Sequence, residues 1–143
     1  MNKAILLETV AGQELKDLPA TVLHEDMATG LSANKFLDRF CGQAACGAKC
    51  EKNFWPLNLL HTPLLQEQAA AEAGRAVIII LSLVTKTGLP EVVQEWLSRW
   101  LDYREDRPYV FGVLLDGKLV GANDNNPVMA CVEKFAGRAA RKF

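Results

Sequence analysis

Two stretches of this sequence place hydroxyls, glycine and charge where anion recognition uses them: Asp26-Met27-Ala28-Thr29-Gly30-Leu31-Ser32 and Ser82-Leu83-Val84-Thr85-Lys86-Thr87-Gly88. In the first, Thr29, Gly30 and Ser32 stand at the head of an amphipathic run. A helix starting there offers backbone N–H groups and hydroxyls to a phosphate. The second adds the hydroxyls of Ser82, Thr85 and Thr87 and the positive charge of Lys86. Asp26 is either a cap for the helix that follows or a functional carboxylate.

A third constellation is Cys41, Cys46 and Cys50, spaced C-x4-C-x3-C. A plant-type iron–sulfur loop wants C-x4-C-x2-C and a fourth Cys, for which only Cys131 remains. Zinc would accept three Cys with His24 or His61. The spacing fits neither well, so free thiols in a connector are the simpler reading, and no metal is expected. The two histidines have no Ser, Cys or Asp arranged with them as a triad, which leaves hydrolase chemistry without support.

These residues need a scaffold, and the hydrophobic pattern supplies one. Arg75-Ala76-Val77-Ile78-Ile79-Ile80-Leu81-Ser82 is a β-branched run bounded by polar residues, the mark of a strand buried on both faces. Thr21 to Asp26 reads as an earlier strand that turns at Met27-Ala28-Thr29-Gly30, where Gly30 supplies a positive φ. Helical spacing follows from Leu31 to Phe40, with Phe36, Leu37 and Phe40 facing the core. Cys41 to Asn53 lacks an apolar period and reads as a connector. Phe54 to His61 suggests a strand that Pro56 confines to an edge or a late start.

Pro63 opens an Ala-rich helix that stops at Gly74. Past the central strand, Val92, Val93, Trp96, Leu97, Trp100 and Leu101 recur at intervals of three and four, so both tryptophans belong to a core-facing helical stripe. Tyr109 to Leu115 is a further strand, after which Asp116-Gly117 closes a hairpin with Leu119-Val120 or simply ends the strand. Asn126-Pro127 starts a last helix carrying Val128, Val132, Phe135, Ala136 and Ala139 on one face. Arg99 to Arg107 is a charge-rich helix end and loop.

The resulting order, strand then helix four times over, gives a parallel sheet covered on both faces. In such a sheet the ligand crevice lies beyond the carboxyl ends of the strands where their order reverses, between the first and third. That rule selects the same two polar loops.

Composition sets the class. The chain has 143 residues, half of them apolar, with 16 basic and 17 acidic side chains. One domain is expected, with residues 1–19 as an N-terminal arm and 20–143 as the α/β core. The balanced charge argues against nucleic-acid binding. No apolar run reaches the roughly 18 residues of a membrane span. The N-terminal apolar patch is too brief for a signal-peptide core, and cysteines without an export signal suit a reducing, cytoplasmic setting.

Thr29-Gly30-Leu31-Ser32 is similar to the T-G-x-T/S part of the phosphate loop of flavodoxin-like proteins. The run from Ile78-Ile79-Ile80 through Gly88-Leu89-Pro90 and Val93 to Trp96-Leu97 and Arg99-Trp100 resembles the third strand, loop and helix of flavodoxins and flavin-dependent quinone reductases. Together these cover roughly residues 20–116. The resemblance implies a three-layer α/β/α sandwich with a parallel sheet of about four or five strands. It also implies FMN, with the phosphate role falling on Thr29, Gly30 and Ser32. In the strand order 2-1-3-4-5 a fifth strand should follow the last helix; with the sequence stopping at Phe143, that strand is expected to be absent, or the N-terminal arm to supply an extra one.

Met27 and Ala28 replace the family's usual hydroxyls, and Asp26 sets a negative charge beside any phosphate. The turn Asp26 to Gly30 and the segment Leu89-Pro90 with Val93, Trp96 and Leu97 also resemble uncharacterised short bacterial proteins of this fold. Glu25-Asp26 looks like the acidic pair of a receiver domain, yet Ser82 stands where a receiver carries its phosphate-accepting Asp.

Three functions follow, in order. The first is a non-catalytic binding or regulatory module, acting as a monomer or homodimer. The second is an FMN- or nucleotide-phosphate-binding, oxidoreductase-like protein using the loop after the first strand. The third is a degenerate receiver-like signalling domain.

Overall fold

A computed structural model describes residues 17–44, 49–84, 87–105, 109–121 and 126–142. In chain order the elements are β1 (Asp17–His24), α1 (Met27–Ala44), β2 (Lys49–Pro56), a 3-10 helix (Leu57–His61), α2 (Pro63–Ala73) and β3 (Ile78–Leu83). They continue with α3 (Glu91–Tyr103), β4 (Val110–Leu115), β5 (Lys118–Leu119) and α4 (Pro127–Lys142). The five strands form one sheet in the order β2-β1-β3-β4-β5. Its first four strands are parallel, and the short β5 runs antiparallel to β4. The protein is thus an α/β sandwich with helices on both faces of a mostly parallel sheet.

The apolar run of β3 is the middle of that sheet, and all six of its residues are buried. Alternation along it feeds two cores. Ile79, Leu81 and Leu83 join Leu23, Phe111 and Val113 beneath α2 and α3, whereas Ile78 and Ile80 join Val22 and Leu114 beneath Ala33 and Leu37 of α1. On the first face, Trp96 and Trp100 stack with ring centroids 6.1 Å apart, and the Trp100 indole N–H donates to the Ala73 carbonyl at 3.2 Å. Gly74 ends α2 in ordinary right-handed geometry. Its role is space, because a Cβ there would lie 2.4 Å from the Tyr103 carbonyl oxygen.

Several sequence expectations need correction. Met27 to Gly30 is no turn: it is the first turn of α1, and Gly30 is absent from the positive-φ residues. The connector expected from Cys41 to Asn53 is helical up to Ala44 and extended from Lys49. The second strand therefore lies earlier than Phe54–His61 and ends at Pro56, on the sheet edge as the proline required. Leu57 to His61 forms the 3-10 helix, with Leu57 and Leu60 buried one turn apart and Leu59 outside.

The fifth strand comes before the last helix, as the antiparallel arm of a hairpin, and not after it. Asp116 and Gly117 both take positive φ, 51° and 80°, the geometry a two-residue hairpin needs. Asn126 caps α4 as expected, accepting from the Val128 N–H at 2.8 Å. Within the expected N-terminal arm, Asp17 to Pro19 open β1, and residues 1–16 lie outside the described residues.

Candidate functional site

At the carboxyl end of β1 the chain makes a closed polar arrangement. Asp26 is the N-cap of α1, and its carboxylate accepts from the Thr29 N–H at 2.8 Å. Thr29 returns the favour through its hydroxyl, which accepts from the Asp26 N–H at 3.0 Å and donates to the Asp26 carbonyl at 3.0 Å. This is a reciprocal box in which cap and third helical residue satisfy each other's backbone. The Asp26 carbonyl also takes the first helical bond, from Gly30 N–H at 3.1 Å, and the His24 Nδ1–H at 2.9 Å. The Thr29 backbone N–H holds the Asp26 carboxyl below its ordinary value, helped by the Thr29 hydroxyl.

The neighbouring strand closes onto this box. Ser82 ends opposite His24, is fully buried, and donates its hydroxyl to the Thr29 carbonyl at 2.7 Å. Glu25 bridges the same two strand ends, its N–H donating to the Ser82 carbonyl at 3.2 Å and its carboxylate accepting from Val84 N–H at 2.9 Å. Asp26, Thr29, Gly30 and Ser82, four of the candidate residues, are thus brought together. Ser32 is one turn further on and faces the hairpin, its hydroxyl oxygen 3.1 Å from where a Cβ on Gly117 would stand. Thr87 is exposed in the connection from β3 to α3, and Thr85 and Lys86 lie outside the described residues.

Among the described residues, the Asp26 carboxylate already stands where a flavin or nucleotide phosphate would meet this helix start. An anion at a helix start needs N–H groups and a positive dipole end that are not already matched. Here the Thr29 N–H is taken by the protein's own carboxylate, and the Ser82 hydroxyl is spent on a helix carbonyl. A phosphate would have to displace a group of its own charge.

Beside the box lies a feature of different chemistry. A groove of about 350 Å³ is lined by His24, Met27, Gly30, Leu31, Asn34 and Phe54. Met27 is 77% exposed, Leu31 57% and Phe54 38%, so apolar side chains form its open walls. His24 forms the floor: its ring is nearly buried and meets the Phe54 ring edge-on with centroids 6.0 Å apart. Gly30 leaves room for that ring, since a Cβ would stand 3.0 Å from His24 Nδ1. On the far side, the Lys52 ammonium reaches from β2 to Asn34 at 2.7 Å and to the Asp38 carboxylate.

The helix geometry explains why Leu31, the first residue of the apolar run, lies outside the core. Residues two apart on an α-helix are about 200° apart around its axis, so Leu31 points away from buried Ala33. Met27 and Leu31, four apart, make a second stripe on the outer side. An apolar set too broad for one face was the signal.

Cys41 belongs to α1 and Cys50 to β2, while Cys46 lies outside the described residues. No group of three or more metal-ligating side chains occurs among the described residues. Cys131 is a half-buried free thiol packed against the core. Among the described residues no helix is long and apolar enough to cross a membrane. No family model matches this chain, and no curated protein or solved structure is found similar to it.

Proposed function

We propose that this protein is a non-catalytic α/β binding module, and that the groove between α1 and β2 receives an apolar group of its partner. One observation supports the reading above all. At the switch between β1 and β3 the polar side chains Asp26, Thr29 and Ser82 are bonded to the protein itself, while Met27, Leu31 and Phe54 beside them are turned to solvent. The groove is within the roughly 300–1,000 Å³ of ligand pockets. Its few polar groups, His24 and Asn34, suit orientation of a ligand and do not form a proton-transfer pair.

The test is a pair of titrations on purified protein. Anilinonaphthalene sulfonate, an apolar fluorescent dye, is expected to bind with a fluorescence increase that Leu31→Ser lowers severalfold. FMN is expected to give no heat in a calorimetric titration, and the visible spectrum to be blank. A flavin band, or FMN heat that competes with inorganic phosphate, would replace this reading with the coenzyme-binding one.

A further inference from the structure

We infer that β2 and the groove beside it form one self-complementary surface that takes a second copy of this chain, pairing edge to edge through antiparallel β2 strands. This rests on the binding-module reading and names the partner.

The two edges of the sheet differ in kind. β5 is two residues long and presents exposed Lys118, a blunted edge. β2 is eight residues long, and its outer side has no neighbouring strand among the described residues. A strand edge of that length offers a row of main-chain donors and acceptors that another strand satisfies best. Its usual safeguard, an outward lysine, is weakened: Lys52 is bent back onto Asn34 and Asp38 of its own α1.

Strand length and charge together choose the register, since axes on Lys52 or Asn53 pair the longest stretch of β2. A two-fold axis perpendicular to the sheet keeps each face on its own side, so opposed residues must share a face. Centring the axis on Glu51 opposes two carboxylates, and centring it on Lys52 opposes two ammonium groups; each costs stability. Centring it on Asn53 opposes Lys52 to Phe54 and Glu51 to Trp55. No like charges meet, and residues 50–56 all pair. Lys52 and Phe54 lie on the α1 face, as the contacts of Lys52 with Asn34 and of Phe54 with His24 show. Each Phe54 therefore comes beside the Lys52 stem of the other copy, whose ammonium stays on its own Asn34 and Asp38. The two grooves meet across the axis, covering the exposed Met27 and Leu31 walls from both sides.

Sedimentation equilibrium of the full chain over a wide concentration range tests this. The expected result is a monomer–dimer equilibrium. Asn53→Lys and Asn53→Asp should each weaken it by about tenfold, because each sets like charges face to face at the axis. An equimolar mixture of the two variants should recover the wild-type association. Residue 53 sits on an edge strand, and thermal unfolding of both variants checks that the monomer fold is kept. A monomer at every concentration overturns the inference, and so does a dimer indifferent to both substitutions. In either case the dye titration with Leu31→Ser still reports on the groove, so failure of the dimer and failure of the binding reading are told apart.

Discussion

The two faces of the sheet are closed by different means. Beneath α2 and α3 the closure is apolar and interlocked: Trp96 and Trp100 stack, Trp100 meets Tyr109 and Phe111, and Gly74 lets the end of α3 approach within van der Waals reach. Among the described residues, the apolar side chains that α1 buries fully are Ala33 and Leu37, with Phe36 and Phe40 partly so. The rest of the hold on α1 is polar, through Asp26, Thr29 and Ser82 at its start and Lys52 along its side. A helix fastened by hydrogen bonds is free to spend its remaining apolar residues outward. Met27 and Leu31 are spent that way, which is why the face with the thinner core is also the one with the groove.

If the contrast is real, damage to the interlocked face must be the more severe. Trp100→Ala removes a buried indole from the centre of the aromatic group and takes one of two donors from the Ala73 carbonyl, which keeps the Ala76 N–H. Its cost should be about 3–5 kcal/mol, read from urea unfolding midpoints at unchanged slope. A loss below that found for substitutions on α1 would mean that the aromatic stack is not what closes this face.

Gly74→Ala is the sharper probe, because it adds one carbon and removes nothing. The added Cβ would stand 2.4 Å from the Tyr103 carbonyl oxygen, a backbone atom that moves only if the end of α3 moves. The expected loss is about 1–3 kcal/mol by the same measurement, despite alanine's better helix propensity. A neutral or stabilising result would show that α2 and α3 can slide apart, and that the close approach is incidental.

How much of this was legible in the chain depends on whether a residue's reason is local. The run Ile78 to Leu83, the Pro63 start of α2 and the three–four spacing of Val92 to Leu101 each carry their cause within a few residues, and each element stands where its pattern puts it. Gly30 and Gly74 do not. Both read as backbone punctuation, yet their reason is a ring or carbonyl from a distant segment, His24 in one case and Tyr103 in the other. Leu57 and Leu59 imitate strand alternation, and only the 3-10 geometry puts Leu57 and Leu60 inside and Leu59 outside.

The candidate site divides on the same line. The rule for open sheets pointed to Asp26, Thr29 and Ser82, which the fold brings to one place, but donors read from residue type say nothing of whether they are already engaged. The groove has no motif at all, since His24, Leu31 and Phe54 come from three elements that only folding assembles.

The mildest perturbation addresses the polar clamp itself. Asn caps a helix about as well as Asp, so Asp26→Asn should leave the neutral-pH melting temperature almost unchanged. The difference belongs at low pH. The bond from the Thr29 N–H holds the folded Asp26 carboxyl below its ordinary 3.8, so the unfolded chain takes up this proton first. The carboxylate's contribution is therefore full above that ordinary value and is lost as pH falls through the lower folded one. Asn has no such proton to gain. Melting temperatures of the two proteins, followed from neutral pH into the acid range, should separate progressively below the ordinary carboxylate value, the wild type falling faster. Parallel curves would mean that Asp26 titrates alike in folded and unfolded chains. The start of α1 would then hold no committed carboxylate, and the Thr29 N–H would be open to an outside anion.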